Sequence, residues 1–287
     1  AVRELAEKLA DQGTDVCWLE PTRDGLIDPA SLEKCLTERG NEIAIVSVMW
    51  GNNETGVIQP IEQIGELCHQ HNVRFHVDAT QWVGKMPTDV SSLPVDLLSF
   101  AAHKFHGPKG IGGLYIRRGV RIAAQITGGP QEHEIRAGTE NVPGIIGMGE
   151  AARRAVQWLH TDERQRLEQL RDRFEQAICQ RVDGAVVNGA NAPRLWNTTN
   201  IAFPKLEAEA ILLMLSERGI DTSAGAACSS GSLDPSPVLL AMGVLNELAH
   251  GSVRFSLSRD TTDEEIDRAI EIIPAVIEKL RASMAPA

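Results

Sequence analysis

Short apolar runs of strand length recur along the chain, at residues 43–50, 73–77, 96–100 and 111–116, and helix-period segments separate most of them. Residues 43–50 are apolar except for Ser47, the pattern of a strand covered on both faces. Strands that return parallel to one another need long crossovers, and the helical patterns at 30–36 and 61–69 supply them. The alternation therefore predicts an α/β fold built on a mostly parallel sheet. A helix over residues 1–10 and a short strand at 16–19 are expected ahead of it.

Past residue 150 the pattern changes. Leu167, Leu170, Phe174 and Ile178 form one apolar stripe on an otherwise charged helix, which reads as a connector into a second unit. That unit shows a helix at 208–218 stopped by Gly219, a strand before Cys228 and another strand at 253–257. A final helix starts at Thr262, where Thr262 and Glu265 make a capping-box pattern and Ile266, Ile270, Ile273, Ile277 and Leu280 continue the stripe. Pro274 is expected to kink it. The predicted organisation is a large domain over residues 1–150 and a connector helix with a small C-terminal α/β domain over 151–287.

Charge excludes some functions. With 28 Lys+Arg against 39 Asp+Glu the net charge is −11, which argues against nucleic acid or anionic membrane as a partner. No apolar run approaches the length of about 18 residues that a membrane span needs, and no signal-peptide pattern opens the chain, so a cytoplasmic protein is expected. The five cysteines are odd in number and irregular in spacing, which fits reduced thiols. Ala1 falls inside a helical pattern, as in a chain that continues upstream.

In open α/β sheets ligands bind beyond the carboxyl ends of the strands. Three such ends carry polar residues: Asn52, Asn53 and Glu54 after the first run, Asp78 and Gln81 after the second, His103 and Lys104 after the third. A lysine amine, a carboxylate for a ring nitrogen and donors for phenolate and phosphate oxygens are what pyridoxal phosphate requires. Other readings are weaker. The glycine-rich stretch 107–113 lacks the phosphate-loop order, Cys68, His69 and His71 crowd one helix end without a second ligand pair, and His103 with His106 as a metal-ligand pair is the minor reading of those two. Cys228 lies among small, turn-forming residues that suit an accessible loop, whereas Cys17, Cys35, Cys68 and Cys179 sit in or beside regular elements and are expected to be buried.

The segments VSVMWGNNETGVIQP (47–60), FHVDATQWVGK (75–85), DLLSFAAHKFHGPKGIGGLY (96–115), RAGTENV (136–142), AACSSGSLDPSPVL (226–239) and ELAHGSVRFSLSR (247–259) carry a resemblance. The chain resembles the cysteine desulfurases of nitrogen fixation and iron–sulfur assembly, class-V aminotransferase-like pyridoxal-phosphate enzymes of fold type I. The resemblance implies a large domain on a mostly parallel, seven-stranded-type sheet. It implies that Lys104 carries the cofactor as a Schiff base and moves protons on the substrate, and that Asp78 pairs with the pyridine nitrogen. Gln81 and Asn53 would bond the phenolate, with Asn53 also touching substrate, and His103 would help bind phosphate. Thr139 would reach the phosphate of a neighbouring subunit in a homodimer. Arg254 would hold the carboxylate of L-cysteine, and Cys228 would take the sulfur as a persulfide, leave L-alanine, and pass sulfur to an acceptor or iron–sulfur scaffold protein. No resident metal is implied, Cys228 alone being in a position to touch a transient iron–sulfur cluster.

The pattern also departs from the family's. Ala101 stands where many relatives carry a phosphate-binding Ser, and 131–133 read Gln-Glu-His in place of Gln-Glu-Arg. A phosphate-cradling loop and a ring-stacking His are expected on a segment before Ala1. Two other functions share these residues: selenocysteine lyase, and a non-catalytic fragment that binds sulfur-acceptor proteins.

Overall fold

The structure is a computed structural model that describes residues 2–225 and 234–284. Helix α1 (Val2–Asp11) buries none of its residues, and its apolar positions Val2, Leu5 and Leu9 are exposed. Helix α2 (Pro29–Arg39) starts where the Asp28 carboxylate accepts the Ala30 N–H and Pro29 fills a position that needs no donor, and it buries Leu32 and Leu36. Strand β1 (Ile45–Met49), helix α3 (Ile61–Gln70), strand β2 (Arg74–Asp78), strand β3 (Leu97–Ala101) and strand β4 (Gly112–Ile116) follow.

These four strands form one sheet in the order β1-β2-β3-β4. The first two pairings are parallel and the third is antiparallel. The short connection between β3 and β4 holds only a 3-10 turn (Ala102–Phe105), too little for a crossover, so β4 must return antiparallel. Two parallel pairings out of three agree with the mostly parallel sheet expected, and four strands, fewer than the seven-stranded type, pair in this sheet among the described residues. Helix α3 packs Ile61, Ile64 and Cys68 against Phe75, Val77 and Leu98, all of them 2% exposed or less. Residues 16–19 do not form the expected strand: they lie alongside α2 and, among the described residues, find no strand to pair with.

The second half adds α4 (Val142–Leu159), α5 (Glu163–Arg181), β5 (Val186–Val187), β6 (Thr198–Ala202), α6 (Ala208–Ser216), α7 (Pro237–Ala241), α8 (Asn246–His250), β7 (Ser252–Ser256) and α9 (Asp263–Met284). Strands β5-β6-β7 form an antiparallel sheet. The stripe Leu167, Leu170, Phe174 and Ile178 of α5 is buried against it together with Ile266, Ile273 and Ile277 of α9. The capping box forms as expected: the Thr262 N–H donates to Glu265 Oε2 at 3.0 Å and the Glu265 N–H to Thr262 Oγ1 at 3.3 Å. In place of a strand before Cys228 there is a single bridge, in which Ser223 exchanges two backbone hydrogen bonds with Arg254 of β7.

Candidate active site

Register brings three loops to one rim, since Met49 pairs with Asp78 and Asp78 with Ser99 at the carboxyl ends of β1, β2 and β3. After β1 the chain reverses in a tight turn. Asn52 Oδ1 accepts the N–H groups of Glu54 at 2.8 Å and Thr55 at 3.0 Å, and Gly56 closes the turn at φ +78°, where an added Cβ would meet the Thr198 carbonyl oxygen at 3.0 Å. This turn presents Asn53, whose carbonyl oxygen accepts a bond from Arg254 Nη1 at 2.9 Å. Residues 201 positions apart, one on the turn after β1 and one on strand β7, therefore meet.

Beyond β2, Asp78 Oδ1 accepts the Thr80 N–H at 3.0 Å and steers the chain toward Gln81. Gln81 Oε1 in turn accepts from Lys85 Nζ at 2.6 Å. Two residues before Asp78 on the same strand face, His76 sits between Ser47 Oγ at 2.8 Å and Ser99 Oγ at 3.1 Å. Burial holds that imidazole below its usual range against the opposing pull of Asp78. Beyond β3, Lys104 lies half-buried in the Ala102–Phe105 turn, with His103 exposed beside it.

Two further residues belong to the site. Burial first, then the nearby cations Lys104 and Arg254, push the Lys85 amine down to about 8. Lys85, Lys104 and Arg254 thus share one electrostatic neighbourhood. Glu54 is 2% exposed; burial raises its carboxyl, while a 2.5 Å hydrogen bond from Ser236 Oγ and the charge of Arg254 act the other way. A Cβ built on Gly225 would come within 2.9 Å of Glu54 Oε2. Gly225 and Ser236 flank the segment that carries Cys228, so Glu54 touches the chain on both sides of it. Cys228 itself, the expected nucleophile, lies outside the described residues. The available sequence signals were a lysine at i+4 from Gln81 and an acid inside an otherwise apolar-flanked turn.

The rim gathers Asn53, Asp78, Gln81, Lys104 and Arg254, but not all expected residues. Thr139 and His103 are exposed, and among the described residues neither side chain makes a hydrogen bond or ion pair to the cluster. The donor set fits pyridoxal phosphate. Three cations and two amides in a partly desolvated setting suit a ligand with a phosphate and a phenolate, and Asp78, at the end of β2, supplies a carboxylate of the kind that a protonated ring nitrogen calls for. Lys104, Asp78, Gln81 and Asn53 are the residues that would hold it.

Comparison with known proteins agrees with this chemistry. Residues 1–269 match the model of the class-V aminotransferase family. The chain is 48% identical over 282 residues to "Cysteine desulfurase 2" of Trichormus variabilis, covering 98% of this chain and 70% of that protein. A solved structure titled "NifS-like protein" superposes with a TM-score of 0.87 at 35% identity, covering 97% of this chain and 72% of the other. Another, titled "SspA in complex with cysteine", gives a TM-score of 0.75 at 32% identity over 91% of this chain and 71% of the other. The chain belongs to the cysteine desulfurases, pyridoxal-phosphate-dependent members of the class-V aminotransferase family.

Proposed function

We propose that the rim residues, together with Cys228, carry out the family's desulfurase reaction on L-cysteine. The Cβ–S bond of the substrate breaks, an S–S bond to Cys228 forms to give Cys228–S–SH, and the carbon skeleton leaves as L-alanine with its methyl group completed by a proton. Pyridoxal phosphate, when bound, supplies the electron sink for charge at the substrate's α carbon. Asp78 keeps its ring nitrogen protonated, and Gln81 and Asn53 donate to its phenolate side. Arg254 receives the substrate carboxylate with a planar fork of donors. Lys104 moves protons at the α carbon.

The supporting observation is the 2.9 Å bond from Arg254 to the Asn53 carbonyl, which sets the carboxylate-binding guanidinium against the cofactor-binding turn. In the same reading, exposed Thr139 serves the site of a second copy in a homodimer, and His103 completes the phosphate site. The large unit 1–150 and the small unit 151–287 divide cofactor and sulfur handling. No helix among the described residues is long and apolar enough to cross a membrane, and the proposed setting is the cytoplasm, where sulfur passes to acceptor or iron–sulfur scaffold proteins. Cys228→Ser in the full-length enzyme should abolish sulfide release from cysteine while the visible absorption of the bound cofactor stays. Retained sulfide release would overturn the reading.

A further inference from the structure

Away from the rim, two free thiols face each other. Cys35 Sγ lies 3.7 Å from Cys17 Sγ, within hydrogen-bond reach for sulfur. The expectation that both are buried fails: Cys17 is exposed and Cys35 half-buried. Their meeting follows from two matched periodicities. Asp15, Cys17 and Leu19 alternate along an extended segment and turn the same way, while Cys35 and Arg39 stand one turn apart on α2. Arg39 Nη2 holds Asp15 Oδ2 at 2.5 Å, Cys35 meets Cys17, and Leu19 packs into the cluster that contains Leu32 and Leu36. Trp18 points the other way, 52% exposed, with the Arg3 guanidinium 6.0 Å from its ring centre. The segment is pinned at both ends by contacts that hold the two sulfurs together.

We propose that Cys17 and Cys35 form a redox-active dithiol, a modification site that a peroxide-class oxidant closes into a disulfide and a thiol reductant reopens. Cys17, the more exposed sulfur, attacks one peroxide oxygen as its thiolate and becomes a sulfenic acid, with hydroxide leaving. Cys35 then attacks the Cys17 sulfur, the S–S bond forms, and the sulfenic oxygen leaves as water. The two thiols give up two protons and two electrons, and hydrogen peroxide is reduced to two waters. Side-chain rotation closes the remaining gap to a bonded distance of about 2.05 Å. Burial, and next the hydrogen bond to Cys17, raise the Cys35 thiol, in keeping with its place as the proton-bearing, second-acting partner. Cys68 is fully buried with its thiol pushed up to about 12, and so does not compete.

Peptide mapping of the full-length enzyme tests this directly. The native protein is treated with equimolar hydrogen peroxide, alkylated and digested with trypsin, which places Cys17 in peptide 9–23 and Cys35 in peptide 35–39. The expected product is the two peptides joined, lighter by two hydrogens than their sum and separated by dithiothreitol. Cys17→Ser should leave Cys35 fully alkylatable after the same treatment, and oxidation should raise the thermal midpoint of the wild type but not of Cys17→Ser. Recovery of both thiols in alkylated form after peroxide, or of either one joined to a different cysteine, would overturn the proposal.

Discussion

Lys85 Nζ donates to Gln81 Oε1 at 2.6 Å, and that bond decides which end of the Gln81 amide remains for a ligand. With Oε1 occupied as acceptor, only the Nε2 hydrogens are left to give, and a phenolate oxygen is what accepts them. Lys85→Met should release the amide to flip and remove one nearby cation. We expect pyridoxal phosphate affinity to fall about tenfold, equivalent to roughly 1.4 kcal/mol. Titration of cofactor-free protein by absorbance reads this, and unchanged affinity would separate Lys85 from the site.

The same lysine has a pH signature in the cofactor-free protein. Its amine is held down to about 8 in the fold against about 10.4 in an unfolded chain, so between those values the unfolded state binds more protons. Stability contributed at this position therefore rises with pH from about 8 to 10 and is flat below. Denaturant unfolding at a series of pH values should show wild type gaining on Lys85→Met across that window. Parallel curves would mean the amine is solvated.

Arg254 exchanges backbone bonds with Ser223, and its guanidinium is bound to the Asn53 carbonyl through Nη1, so both the main chain and the tip of the side chain are held. A fork held in this way cannot be replaced by a point charge. Arg254→Lys should raise the KM for cysteine at least tenfold with cofactor absorption intact, and Arg254→Gln should do so further. Steady-state kinetics at saturating cofactor distinguishes this from a fall in kcat alone.

Sequence periodicity was enough to find α5, α9 and the three strand ends, because a stripe or an apolar run is written within about ten to twenty neighbouring residues. The Thr262–Glu265 box was legible for the same reason. The direction of β4 was not, since it depends on the length of a connection and not on the strand's own composition. Residues 16–19 have a strand's composition, yet their partner is a helix, and only the fold supplies that partner. Glu54 was visible only as one polar residue of its turn, and Lys85 not at all, for a related reason. Glu54 acquires its role from Ser236, 182 positions away, and Lys85 from burial and then from the charges of Lys104 and Arg254.

Phe174 tests the core that supports the small sheet. It is 1% exposed, and its ring lies 5.1 Å from that of Phe255 on β7, the residue next to Arg254, which bridges to Ser223. Phe174→Ala should cost about 3–5 kcal/mol by lost transfer energy and the cavity left behind. A loss below about 1 kcal/mol in denaturant unfolding would mean that the site collapses to fill the gap.

Glu54 gives the last prediction, and its sign is unusual for a carboxylate. Burial raises its acid form above the ordinary range, so the native state binds a proton more readily than the unfolded chain. The stability it contributes is complete below the unfolded value of about 4.3 and is lost as pH rises through the raised native value. Glu54→Gln retains an acceptor for the Ser236 hydroxyl and removes the charge. At neutral pH this variant should be at least as stable as wild type, and its stability should decline less between pH 4 and neutrality. Glu54→Ala instead leaves the Ser236 hydroxyl without this acceptor at a buried contact and should be destabilised by about 1–3 kcal/mol. Denaturant unfolding of all three proteins across that range decides the matter: if Glu54→Gln is the less stable protein at neutral pH, the carboxylate is held by the positive charge of Arg254 more strongly than burial opposes it.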